Sequence, residues 1–332
     1  MLQFLPLQSI APASPALSIV ICTRDRGARL SPTLRSILSN AGGGFEVIVV
    51  DQSDGGSTEG VVRALGDGTR VDLRYERTPT RGLSRARNVG LQVARAPIVA
   101  MTDDDCTVAP SWTRAIVDAF ERQPKVALLF GNVEPAPVTD GLGFIPAYER
   151  SDAFVATRVS QKAYVAGMGA CMAMRRDVVL DLGGFDPRLG AGSPCRAGEE
   201  VDLTLRVLAS GWWVQETPEV RVVHHGFRPW SDAARCAADY WYGAGAAMGK
   251  HLRSQPNASV PLLARLAVRF LASQSTIARS LGPAPMRRTR LTAFLRGLTT
   301  GARAPAGVGA AAASLGENRP RGVPARRTRS SG

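Results

Sequence analysis

The sequence predicts a doubly wound α/β fold with a mostly parallel sheet and a C-terminal helical extension. Three observations predict it. Apolar runs of strand length alternate with helical periods up to about residue 134, the pattern of repeated βαβ units. The first strand, its helix and the second strand fit within about 35 residues, short enough for a right-handed crossover between parallel neighbours. Acids close three of the runs, at Asp25, at Asp51 and at Asp103, Asp104 and Asp105. Parallel strands put their carboxyl ends on one edge, where open α/β sheets bind ligands.

In chain order, Leu17 to Cys22 is the first strand, and Leu30 to Ser39 a helix with Pro32 in its first turn. Phe45 to Val50 is a second strand, Thr58 to Leu65 a helix, and Val71 to Tyr75 an alternating, more exposed strand. Ser84 is a plausible N-cap for a helix whose apolar face is Ala86, Val89, Leu91 and Val93. Pro97 to Met101 runs into the acidic triplet, Trp112 to Arg122 is helical, and Val126 to Val133 is a strand. Residues 135 to 159 read as a long polar connection, and 163 to 175 as a strand or close-packed segment. Asp177 to Leu182 is a short helix, and Glu199 to Ser210 a helix stopped by Gly211. Trp212 to Thr217 and Val220 to His225 read as short strands. Ala-rich helices follow over about 231–253 and 260–280. The domains are an N-terminal extension (1–16), the α/β domain (17–230), a helical region (231–300) and a disordered Arg-rich tail (301–332).

The 332 residues, 45% of them apolar, suffice for one large domain with an appendage. The five cysteines contain no CxxC pair and are odd in number, which argues against a disulfide framework or a zinc site. Residues 1 to 15 carry no basic n-region and are broken by three prolines, so no signal peptide is expected. The uncharged stretch before Arg24 is broken by prolines and polar residues, and no continuous apolar run reaches the ~18 residues of a membrane span. The expected location is cytoplasmic, with a peripheral place on the inner face of the cytoplasmic membrane open to it. Of the net charge of +13, ten arginines and one acid after residue 286 supply +9. That region suits an anionic membrane surface. It lacks the aromatic interleaving of a specific nucleic-acid site. No GxGxxG or GxxxxGK[ST] is present, which removes the main support for dinucleotide and P-loop chemistry.

Taken alone, the acidic triplet fits a turn capping the helix after Pro110 as well as it fits a ligand site. Convergence with Asp25 and Asp51 favours a divalent cation bridging carboxylate and phosphate oxygens. Arg81, Arg85 and Arg87 reach the same edge and suit phosphate or acidic groups, or a solvated helix face. Asn88 and Gly90 fit a tight helix contact or a ligand contact. Glu199, Glu200 and Asp202 either complement a helix dipole or supply a general base. His224 and His225 point to opposite faces of a strand, so one at most faces the site.

These features resemble the family 2 nucleotide-sugar glycosyltransferases of GT-A fold. The resemblance covers Leu17 to Arg228. It rests on Ser18 to Arg24, Val49 to Asp54, Arg81 to Gly90, Thr102 to Asp105 (a DxD-like motif), Gly183 to Asp186 and Gly198 to Arg206, in that order. It implies that Thr23 and Asp51 contact nucleobase and ribose, and that Asp103 contacts ribose or sugar. Arg24, Ser53, Arg81, Arg87, Asn88 and Glu199 would add substrate contacts. Asp105 would hold Mg²⁺ or Mn²⁺, completed by His225 ahead of His224, with Asp104 structural. The family usually carries Glu-Asp where this chain has Glu199-Glu200. Glu200 is then the expected base, with Glu199 and Asp202 behind it. The implied reaction is inverting transfer from a nucleoside diphosphate sugar to a glycan or lipid-linked acceptor, of the kind used in bacterial polysaccharide assembly. A sugar nucleotidyltransferase and a non-catalytic sugar-nucleotide or polysaccharide-binding module are the alternatives.

Overall fold

The computed structural model describes residues 15–40, 44–137, 141–271 and 287–304. Most of the N-terminal extension and of the Arg-rich tail, and the far end of the 260–280 helix, lie outside the described residues. The elements are β1 (Leu17–Thr23), α1 (Gly27–Leu38), β2 (Phe45–Asp51), α2 (Ser57–Gly66), β3 (Asp72–Arg77), α3 (Leu83–Val93), β4 (Ile98–Asp103), β5 (Cys106–Val108), α4 (Trp112–Arg122) and β6 (Val126–Pro135). They continue with β7 (Gly143–Phe144), β8 (Phe154–Ala156), β9 (Cys171–Arg175), α5 (Arg176–Asp181), α6 (Glu199–Ala209), β10 (Trp213–His224) and β11 (Arg228–Pro229). The C-terminal helices are α7 (Ala233–Ser254), α8 (Pro256–Leu271) and α9 (Arg287–Arg303).

The main sheet runs β3-β2-β1-β4-β9-β6-β10-β5. β1, β2, β3 and β4 are mutually parallel, and β6 is parallel to β10. β9 is antiparallel to both β4 and β6, which splices the two parallel halves together. β1 and β2 are buried almost throughout, as expected of strands covered on both faces. Side chains alternate across the sheet. Val20, Ile48, Val50, Val99 and Met101 pack with α3, α5, α6 and α7. Ile19, Ile21, Val47, Val49 and Ala100 pack with α1, α2 and α4. The register sets Thr23 beside Asp51, and Cys22 beside Asp103. Three acidic strand ends thus reach one edge.

Three expectations change, and one strand is new. Ser84 does not cap α3; Gly82 does, and the Ser84 hydroxyl donates to Leu189 O at 2.7 Å. The long connection after β6 carries β7 and β8, because β8 pairs with β10. Trp212 to His225 holds one strand, β10, with an irregularity between Thr217 and Arg221 around Pro218. β5 is too short to show a period in sequence. Its antiparallel register on β10 sets His224 opposite Cys106.

The helical region packs on the α/β domain rather than standing apart. α7 lies against α6, and α8 against the 3₁₀ turn Val159–Tyr164. α7 and α9 cross with backbones nearly touching, through Gly245 and Gly249 on one and Gly297 and Gly301 on the other. A Cβ at Gly249 would strike the Leu298 carbonyl. Gly249→Val should therefore lower stability by about 1–3 kcal/mol in urea unfolding. Gly60→Ala on α2, with open space around it, should change stability by less than about 1 kcal/mol.

Candidate active site

At the ends of β1 and β2 the polar groups satisfy one another. The Thr23 hydroxyl donates to Asp104 Oδ2 at 2.6 Å. Asp51 is fully buried. It accepts hydrogen bonds from the Ser53 amide (2.9 Å), the Ser53 hydroxyl and the Tyr75 hydroxyl (2.9 Å). A carboxylate has about four acceptor positions, so one remains for a ligand. Asp25, at a left-handed φ of 57°, donates its amide to Ser53 Oγ at 2.7 Å. Arg24 and Arg81 stay at the exposed rim, paired with Asp25 (3.3 Å) and Asp54 (2.6 Å). Asn88 departs from its expected substrate role. Both ends of its amide bind the Phe185 backbone at 2.8 Å, so it fixes the Gly184–Phe185 turn.

The acidic triplet divides by geometry. Asp104 is buried against Thr23 and Arg26, whose Nη1 lies 3.0 Å away, and its carbonyl accepts from Thr33. Asp105 sits 3.1 Å from the same Nη1 and 3.4 Å from His224 Nε2. Here the preference for His225 is corrected. The His225 ring is turned to Thr107 at 3.0 Å on the exposed side, while the pairing of β5 with β10 carries His224 onto Asp105. His224 Nδ1 lies 2.8 Å from the Pro146 carbonyl. A carbonyl can only accept, so Nδ1 carries a proton and Nε2 is the nitrogen turned towards Asp105. Gly226 keeps this corner open, since a Cβ there would come within 2.5 Å of Nε2 and 2.9 Å of Asp105 Oδ2. Asp105, Cys106 and His224 are the group whose donor atoms could converge on a metal among the described residues. Burial pushes the Cys106 thiol far up and keeps it protonated, leaving an oxygen and a nitrogen ligand.

Electrostatics follow the same division. Burial favours a neutral Asp105, but the hydrogen bond to His224 and the charge of Arg26 outweigh it and hold the carboxyl below its ordinary range. Burial also opposes charge on His224, yet Asp105 and the Pro146 carbonyl raise it above its usual value. A proton and a divalent cation would thus compete for Nε2. Burial raises Asp103 and Asp104, against Arg87 in the first case and Thr23 and Arg26 in the second.

The α6 side of the site is built around Arg87, whose side chain is 3% exposed. Its guanidinium lies 3.2 Å from Glu199 Oε1, 3.5 Å from Glu200 Oε1 and 3.9 Å from Asp103 Oδ1. It also stacks over the Phe185 ring at 5.5 Å. Gly198, at φ 94°, turns the chain so that α6 opens with both glutamates at this cation. Glu199 is buried behind the site, and its Oε2 has no partner. Burial and the neighbouring Glu200 push it up to about 8 against the pull of Arg87, and this favours its protonated form. Glu200 is more open and accepts from the Gly169 amide at 3.2 Å. Asp202 leaves the list of possible bases: it points away, to Arg206 and Lys250, each at 2.8 Å. Sequence reasoning missed Arg26, although it shares the turn after β1 with Asp25, which was the available signal.

Comparison with known proteins bears on the family and the fold. The model of the family described as Glycosyl transferase family 2 matches residues 18–183. The glucosyl-dolichyl phosphate glucuronosyltransferase of Haloferax volcanii is 26% identical over 222 residues, 64% of this chain and 69% of that protein. An O-antigen biosynthesis protein of Myxococcus xanthus is 28% identical over 244 residues, 69% of this chain but 19% of its own length. The solved structure of a mannosyltransferase from Pyrobaculum calidifontis, in complex with GDP-Man and Mn²⁺, superposes with a TM-score of 0.57. It covers 92% of this chain and 87% of that one at 20% identity, a likeness of GT-A fold.

The proton on Glu199 has a measurable consequence. Between the usual glutamate pKa near 4.3 and about 8, the folded state holds a proton that the unfolded state has released. Wild-type stability should fall as pH rises through that window, by at most about 1.4 kcal/mol per pH unit. Glu199→Gln should flatten the slope in urea titrations between pH 5 and pH 8. An unchanged slope would place the proton elsewhere.

Proposed function

The chain belongs to glycosyl transferase family 2 and is a glycosyltransferase, and from that premise we propose a metal-dependent, inverting transfer. A sugar moves from a nucleoside diphosphate sugar to a hydroxyl of a glycan or lipid-linked acceptor. The observation that carries this reading is the meeting, across Arg87, of an open glutamate with an acidic strand edge that ends in the Asp105–His224 pair.

In this reading Asp105 and His224 hold Mg²⁺ or Mn²⁺. The ion, when bound, neutralises charge developing on the diphosphate leaving group. The remaining acceptor position of Asp51, with Thr23 beside it, receives the nucleoside. Asp103, last residue of β4, lies between nucleoside and sugar. Glu200 takes the proton of the acceptor hydroxyl as the oxygen attacks the anomeric carbon opposite the leaving group. Arg87, 3.5 Å from Glu200 Oε1, holds the carboxylate in place for this step. Protonated Glu199 adds no second negative charge there. Exposed Arg288, Arg296 and Arg303 on α9 give the protein a basic side for peripheral contact with an anionic membrane. Among the described residues no helix is long and apolar enough to cross one.

Released nucleoside diphosphate, rather than inorganic diphosphate, would separate glycosyl transfer from nucleotidyl transfer. Glu200→Gln should lower kcat by about 10²–10⁴-fold while donor binding by calorimetry stays within about twofold; unaltered turnover would move the base elsewhere. His224→Ala should weaken the apparent affinity for Mn²⁺ about tenfold or more. His225→Ala should leave it nearly unchanged, and equal effects of the two would contradict the metal assignment.

A further inference from the structure

Beside Glu200 the packing gives way to a cavity of about 710 Å³ between the α/β domain and the C-terminal helices. That is within the usual range for ligand sites. Its walls come from α6, α7, α8 and α9 and are aromatic or aliphatic, with Trp241, Met248, Leu263, Leu266, Phe294 and Leu298 among them. The inner end is polar. Glu200 lines it, and so does Lys162, whose ammonium donates to the Val165 carbonyl at 2.7 Å. Thr204 lies one helical turn beyond Glu200. It lines the same wall, is 1% exposed, and its hydroxyl has no hydrogen-bond partner. The outer end is apolar again: Leu291 and Leu295 line it and stand 44% and 49% exposed. Exposed Arg288 and Arg296 flank them on the same helix.

We propose that this cavity is the acceptor site, and that it takes the hydrocarbon chain of a lipid-linked acceptor, with the reacting head group at Glu200, Thr204 and Lys162. The assignment rests on the glycosyl-transfer reading for the identity of the head group. A bare glycan chain does not fit the walls. Sugar hydroxyls need partners, and burying them against hydrocarbon leaves those hydrogen bonds unmade. A chain needs none, and each methylene removed from water favours binding. The exposed leucines give the chain a continuous exit, and the arginines around it suit the anionic surface in which such a chain is anchored. The buried Thr204 hydroxyl gains a partner when a head group arrives.

The test uses the full chain and two readouts. Dodecyl maltoside brominated on its chain should quench Trp241 fluorescence saturably, below the concentration at which it forms micelles. Methyl maltoside should not quench, and Trp241→Phe should remove the effect. Filling the wall with Ala244→Phe, or with the more exposed Ala267→Phe should the first fail to fold, should weaken the quench at least tenfold. In transfer assays an octyl glycoside should exceed the matching methyl glycoside at least tenfold in kcat/KM, and the filled variant should lose that preference. Quenching only by micelles, indifference to the filled wall, or better binding of a short aryl glycoside would overturn the assignment. Quenching decides the cavity independently of catalysis. Absence of transfer from every donor would count against the glycosyl-transfer reading; transfer indifferent to chain length would count against the cavity alone.

Discussion

The site depends on one buried cation. Arg87 sits among Glu199, Glu200 and Asp103, with almost no water to screen it. A buried guanidinium needs counter-charge, and removing a partner from such a group costs about 3–5 kcal/mol. The same cation is the electrostatic link between the two halves of the site. Asp103 belongs to β4 and the acidic edge, and the glutamates begin α6. Arg87 reaches both from α3, which packs on β1 and β2, with its ring contact to Phe185 held by the Asn88 clamp. The glutamates therefore divide their roles through burial. The deeper one keeps a proton and the shallower one is open to ligand.

A second constraint is topological. The short return strand β5 follows directly from the acidic turn and pairs with the far end of β10. That pairing draws an imidazole more than a hundred residues distant onto Asp105. Its register decides which of two adjacent histidines arrives. The bond from His224 to Pro146 decides which nitrogen is presented. Thr23 and Arg26 hold Asp104 aside, so the three adjacent acids do not compete for one role.

Much of this was legible in the sequence, and the reasons are physical. β1, β2 and β4 are continuous apolar runs because both faces are covered, and their acidic ends stand out against that background. α4 and α6 carry clear periods and were bounded to within about a residue. What was not legible depends on pairing partners or on packing without a local signal. β5 has three residues, and β8 lies in a polar connection. The choice of His224 over His225 follows from register. Asn88 looked like a ligand contact and turned out to be an amide clamp, because the turn it holds lies almost a hundred residues away. The cavity needed α9, whose seam is made of glycines rather than an apolar stripe.

The chain belongs to glycosyl transferase family 2 and has a GT-A-like fold. The central claim is a single displacement, with Glu200 as the base and no carboxylate acting as nucleophile. The most direct measurement is the anomeric configuration of the first product, read by proton NMR from a donor of known linkage. Inversion, a β-linked product from an α-linked donor, is the predicted result. A product that keeps the configuration of the donor would contradict the account.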